Sequence, residues 1–213
     1  MAEFRSIYMK KGSIHLGIVF TIVVGFTSLI SCQHNDIASY FSQEPEGWKV
    51  IGDAQGESAM PDYHDKDGNP GGYISANDDI AGGVWYWSAP DKFLGNRSSV
   101  YGKKLSFSLK QSSTENQFDD DDIIMYGASM KIVFNTPKNP ETRWTDYSIP
   151  LSEQAGWTYN DIHGDLVSKT DLKKVLRDLK AIQIRGEYVT GEDTGGLDNF
   201  ILHTGHARKN HKI

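Results

Sequence analysis

Between Phe41 and Leu202 the chain keeps breaking its own pattern. Short runs rich in Val, Ile, Tyr, Phe and Trp alternate with clusters of Gly, Pro, Asn and Asp. Such spacing suits antiparallel strands that cross a layer and turn back, and it predicts an all-β, antiparallel sandwich or barrel. The expected strands are Trp48–Ile51, Gly72–Asn77, Val84–Ser88, Lys104–Lys110, Ile123–Gly127, Met130–Phe134, Trp144–Pro150, Ala181–Tyr188 and Asp198–His203. The expected turns are Asp67–Gly72, Lys92–Asn96, Thr136–Pro140 and Thr190–Gly196, all rich in residues that tolerate turn geometry. One short helix, near residues 170–180, interrupts the series. Leu172, Val175, Leu176 and Leu179 fall at helical spacing behind Ser168-Lys169-Thr170-Asp171, which has the form of a capping box. Its apolar stripe is expected to cover one end of the sandwich. The 21 glycines, 10 tyrosines and 5 tryptophans favour this class over a helical bundle.

Upstream of this region the chemistry is different. Met9-Lys10-Lys11 precedes a nearly unbroken apolar run from Leu16 to Ile30, which ends at Ser31-Cys32. A basic start, a short apolar stretch and a small residue before the break are the layout of a secretory signal. The run is shorter than the roughly 20 apolar residues a membrane span needs. Leu29-Ile30-Ser31-Cys32 looks like a bacterial lipobox, with Cys32 the residue that receives the lipid; a plain signal peptide or an uncleaved anchor helix is the alternative. Cys32 is the only cysteine in the chain, so the exported part has no thiol to pair and depends on its core. The expected layout is a signal peptide over 1–31, a lipid-anchor tether over 32–40, the sandwich over 41–205 and a flexible tail over 206–213. The expected location is a membrane-anchored lipoprotein at the bacterial outer membrane or cell surface.

Charge narrows the partners. The chain carries 28 acidic against 22 basic side chains, and removal of the leader takes three of the basic ones and only one acidic one. A nucleic-acid binder needs a basic stripe to displace phosphate counterions, and none is visible. Enzyme signatures also fail. Gly56-Glu57-Ser58-Ala59-Met60 begins like a nucleophile elbow but lacks its last glycine. The histidines form no HExxH pair. Asp65-Lys66-Asp67-Gly68-Asn69 starts like an EF-hand loop, but Pro70 stands where glycine is required and Ala76 where a bidentate glutamate is required. Asp119 to Asp122 reads as a solvated loop.

A set of collinear segments carries a family resemblance. They are Glu46-Gly47-Trp48, Gly52-Asp53, Gly71-Gly72-Tyr73-Ile74, Val84 to Gly95, Tyr101 to Phe107, Trp144, Gly156-Trp157, Ile184 to Tyr188 and Leu197-Asp198-Asn199. Together they resemble the laminin B domain, also called laminin IV type A. The resemblance implies a non-catalytic, jelly-roll-like β-sandwich, similar to carbohydrate-binding modules that often hold a structural calcium. The chain departs from the animal pattern in lacking the cysteine-rich repeats that flank the domain in laminins and in carrying a lipobox, so what the resemblance implies is the fold and not laminin-type matrix assembly.

Within that frame, calcium bound by Asp198 with Asp78 or Asp79, and with Asp53 as a further ligand, is the expected structural cofactor. The alternative is that Asp78-Asp79 is a solvated turn and Asp198 caps a loop. Trp85 and Trp87 share one face of a strand, either as core or as a sugar platform. Tyr73 and Trp144 are the candidate carbohydrate platform. Arg185 and Glu187 share a strand face, as a polar contact pair for a ligand or as a simple cross-strand ion pair. The expected function is a non-catalytic binding module for glycan or polysaccharide. Adhesion to an extracellular protein is the alternative, and an accessory role beside a glycan hydrolase a third.

Overall fold

The computed structural model describes residues 36–57, 59–79 and 82–205. Cys32, the leader and the tail lie outside the described residues. The strands in chain order are β1 (Ile37–Ser39), β2 (Lys49–Ile51), β3 (Asp62–His64), β4 (Tyr73–Asp78), β5 (Tyr86–Ser88) and β6 (Lys104–Gln111). They are followed by β7 (Ile123–Gly127), β8 (Met130–Phe134), β9 (Thr145–Pro150), β10 (Thr158–Tyr159), the helix α1 (Lys169–Arg177), β11 (Leu179–Arg185) and β12 (Asp193–Leu202).

Two antiparallel sheets form a β-sandwich. The first has the order β3-β4-β12-β6-β9, with β1 also paired to β12; the second has the order β10-β8-β7-β11-β5-β2. β4 pairs with Asp193–Leu197 and β1 with Phe200–Leu202, so the two strands meet different stretches of β12.

Period-two alternation explains which side chains enter the core. Leu105, Phe107 and Leu109 of β6, Tyr147 and Ile149 of β9, and Ile74 and Ala76 of β4 are buried from the first sheet. Val50, Trp87, Ile123, Met125, Ile132, Ile182 and Ile184 are buried from the second. The rings of Trp48 and Phe93 each pack edge-on or tilted against Phe200 or one another, with Trp48–Phe200 and Phe93–Phe200 centroids both 4.7 Å apart. Trp85 and Trp87 are fully buried and meet edge to face at 4.9 Å, which makes them core and removes them as a sugar platform. α1 buries Leu172, Val175 and Leu176, and the Ser168 hydroxyl caps it by accepting from the Asp171 N–H at 3.1 Å.

The structure departs from the expected elements in several places. Leu179, expected on the helix stripe, opens β11 after α1 has ended at Arg177, and β11 stops at Arg185 and not at Tyr188. β1 lies inside the expected tether, because Ile37–Ser39 pairs with β12. β1, β3 and β10 are only two or three residues long, too short to display any periodicity. The expected turn Thr190–Gly196 supplies the first four residues of β12. Its glycines serve close approach: a Cβ on Gly195 would stand 2.9 Å from the Gly186 carbonyl, and one on Gly196 3.0 Å from the Lys110 side chain. Finally, the Asp119–Asp122 run is a solvated loop only in its first half. Asp121 and Asp122 are buried, the former paired with Lys131 at 2.6 Å and the latter with Arg185 at 3.1 Å.

Candidate functional site

Residues of the first sheet that alternate with the core residues point outward. On β4 these are Tyr73 and Ser75, on β6 Ser106, Ser108 and Lys110, and on β9 Asp146 and Ser148; the register sets Ser108 opposite Asp146 and His64 of β3 opposite Tyr73. The Tyr73 ring stacks on His64 at 4.4 Å and 13°, and it meets Trp144 at 5.3 Å and 81°. Lys110 Nζ lies 3.8 Å from the centre of the Tyr73 ring and 4.6 Å from that of Trp144, in cation–π geometry. Tyr73 and Trp144, some 70 residues apart in the chain, therefore share one corner built around one ammonium. Beside it is a shallow pocket of about 220 Å³, lined by Tyr73, Lys110 and the hydroxyls of Ser75, Ser112, Thr142 and Thr194.

The loop from Asp65 to Gly72 borders this corner. Trp144 Nε1 donates to the Asp67 carbonyl at 3.2 Å, which fixes the indole. The Asn69 amide donates to Asp146 at 2.8 Å and to Ser108 at 3.1 Å. The Asn69 backbone N–H donates to Asp198 Oδ2 at 2.6 Å, and the Asn199 N–H to Asp198 Oδ1 at 2.6 Å. Burial raises the Asp198 carboxyl to about 6, against the opposing pull of these two N–H donors and of Lys110. Asp198 is thus a clasp for the loop, with each oxygen engaged.

The expected calcium ligands do not converge. Asp198 lies five residues from Asp193 on β12, a rise of about 17 Å, whereas Asp78 is the register partner of Asp193. Asp53 accepts from the Gly83 N–H at 2.8 Å and Asp79 from the Gly56 N–H at 2.8 Å, so both organise loops. Asp78 is buried at the end of β4, beside Asp193 and Glu187. Burial and this crowding raise the Glu187 and Asp193 carboxyls to about 7 each.

Arg185 is corrected outright as a ligand contact. It is fully buried, its guanidinium 3.9 Å from the centre of the Tyr188 ring and donating to the Phe118 carbonyl at 3.0 Å. β11 ends at Arg185, so the strand alternation expected to pair it with Glu187 on one surface does not continue that far. Glu187 instead lines a cavity of about 470 Å³ with Asp78, Asp79, Thr190 and Glu192. Lys110, His64 and Asp193 were absent from the sequence expectations. The alternation Leu105, Phe107, Leu109 already directs Lys110 outward, but nothing local brings it to Trp144.

Comparison with known proteins agrees with this architecture. The family model described as Laminin B (Domain IV) matches residues 86–212. Laminin subunit gamma-2 of Equus caballus is 28% identical over 173 residues, covering 78% of this chain and 13% of its own length. The basement membrane proteoglycan of Caenorhabditis elegans is 24% identical over 127 residues, covering 59% of this chain and 4% of its own. The chain therefore spans only a small part of these relatives. Among solved structures, the L4b domain of human laminin alpha-2 superposes with a TM-score of 0.54 and 21% identity, covering 62% of this chain and 80% of that one. The family 11 carbohydrate-binding module of the Clostridium thermocellum cellulase Lic26A-Cel5E superposes with a TM-score of 0.51 and 16% identity, covering 83% of this chain and 98% of that one.

Proposed function

Since this chain belongs to the Laminin B (Domain IV) family, we propose that it is a non-catalytic binding module whose outward face on the first sheet takes carbohydrate. The corner of Tyr73 and Trp144 around Lys110 carries this reading. With the Tyr73 ring stacked on His64 and capped by Lys110, it is the half-buried Trp144 indole, held by Tyr73 and Lys110, that offers apolar area to the C–H face of a pyranose, while the neighbouring Ser and Thr hydroxyls replace the water that sugar hydroxyls give up. Because such exchanges yield little net energy, the affinity expected is micromolar to millimolar, on the order of −4 to −8 kcal/mol. A glycan array followed by calorimetry tests it. Tyr73→Ala and Trp144→Ala, with folding checked by near-ultraviolet circular dichroism, should each weaken binding at least about tenfold, or ~1.4 kcal/mol. No binding across plant, host and microbial polysaccharides would end the carbohydrate reading.

A second reading is adhesion to a protein partner, supported by the kind of relative the chain matches, laminin subunits and a basement membrane proteoglycan. A saturable protein partner together with a blank glycan array would select it.

Display at a membrane through a lipid on Cys32 is part of the same proposal, motivated by Leu29-Ile30-Ser31-Cys32. Cys32→Ala should release the protein from the membrane fraction and abolish incorporation of labelled palmitate. Equal labelling of the variant and the wild type would remove the anchor from the account.

A further inference from the structure

The stem of Lys110 lies across Gly196 of β12, where an added Cβ would come within 3.0 Å of its Cγ and Cε. This path carries the ammonium to the Tyr73 and Trp144 rings, 3.8 and 4.6 Å from their centres. Ring faces attract the charge, but they do not accept an N–H bond as an oxygen does. Among the described residues no carboxylate stands within ion-pair distance of Lys110, and its Nζ donates to no oxygen. Asp198 feels its charge, but that carboxyl is fully buried and both of its oxygens already accept from the Asn69 and Asn199 N–H groups. The pocket that Lys110 lines also holds no anion, only the hydroxyls of Ser75, Ser112, Thr142 and Thr194 around it. The acidic side chains of this region, Asp79 and Glu192 among them, gather in an adjoining cavity past Ser112 and Thr194.

We propose, resting on the carbohydrate reading above, that the sugar taken at this corner is acidic and that its anionic group meets the Lys110 ammonium from the pocket. A hexuronate carboxylate and a sulfate ester share the chemistry required, an anionic oxygen on a pyranose. The ammonium has three protons to give, and a bond from it to an anionic oxygen is roughly twice as strong as one between neutral groups. The stem is pinned over Gly196 and flanked by two rings, so Lys110 loses less freedom on binding than a lysine free in solvent. Trp144 takes the C–H face of the same sugar, and the pocket hydroxyls take its ring hydroxyls. The acidic cavity past Ser112 and Thr194 repels a second anion, so the fitting probe carries a single acidic sugar.

Calorimetry with short oligosaccharides bearing one hexuronate or one sulfated sugar, each matched with its carboxyl-reduced or desulfated form, tests the assignment. The wild type should prefer an anionic form over its neutral match by about tenfold or more at low salt. That preference should shrink in about 300 mM salt, because an exposed ion pair is screened. Lys110→Met, which keeps an apolar stem, should bring the two forms to within about threefold of each other. Thr142→Asp, a change at an exposed residue of the pocket lining, should narrow the preference by repulsion. Melting curves establish that both variants fold, and the matched pair with the larger preference identifies the anion. Equal binding of charged and neutral forms by the wild type would overturn the acidic assignment and leave the carbohydrate reading standing, as would a preference that survives both variants. Binding of neither form, with a blank glycan array, would remove both.

Discussion

Asp122→Ala is expected to destabilise the domain by about 3–5 kcal/mol, read from urea unfolding at neutral pH. Arg185 is fully buried, and Asp122 stands opposite it with Oδ1 3.1 Å from Nε. The other Asp122 oxygen accepts from the Thr136 N–H at 2.7 Å and from its hydroxyl. Burial pushes the Asp122 carboxyl above its ordinary range, although the guanidinium and Thr136 both pull it down. The direction of that balance says that desolvation outweighs the attraction, so the pair is not a large net source of stability. Removal of one partner is a different matter, since it strands a guanidinium among Tyr188, Phe118 and the sandwich core. The double variant Asp122→Leu with Arg185→Met should accordingly recover most of the loss, because apolar groups of similar volume need no partner. A single-variant loss below about 1 kcal/mol would refute this account of the pair, given how large the penalty for an unpaired buried charge is.

Gly186→Ala should destabilise by about 3 kcal/mol or more, at the upper end of what overpacking costs. A Cβ there would overlap Cε3, Cζ3 and Cη2 of the Trp85 ring. That indole has nowhere to go, because it is fully buried and abuts Trp87 on one side and Gly195 on another. The backbone is held as well: the Gly186 N–H donates to the Trp85 carbonyl at 2.9 Å, and the Gly186 carbonyl accepts from Gln111 at 2.7 Å. Gly83→Ala is the control, since a Cβ at Gly83 meets nothing within 4 Å. It should stay within about 0.5 kcal/mol of the wild type. Thermal unfolding followed by tryptophan fluorescence compares the two, and equal melting temperatures would contradict the steric argument.

Much of the β-sandwich was legible in short windows of sequence. β6 and β9 fall within one residue of the expectation because each is long enough for its period to show, whereas β7 and β8, whose burial does not alternate, fall where their apolar content between turns places them. α1 was visible through Leu172, Val175 and Leu176 and the capping Ser168. The short strands were not, since three residues such as Asp62-Tyr63-His64 are strand only because β4 lies alongside them. Gly195 and Gly196 read as a turn for the reason that makes them useful in a strand, the absence of a side chain.

Local sequence thus determined the class, the helix and most of the core, because burial of an amphipathic strand or helix is decided by a period that neighbouring residues already carry. It also nominated Tyr73 and Trp144 as a platform. Tertiary structure alone decided what surrounds them and what the charged residues do. Lys110 reaches both rings from a third strand, Arg185 turns inward to Asp122, and Asp78 leaves Asp198 to meet Asp193. A charge takes its meaning from the groups within a few ångströms, and in an antiparallel sandwich those groups come from strands far apart in the chain.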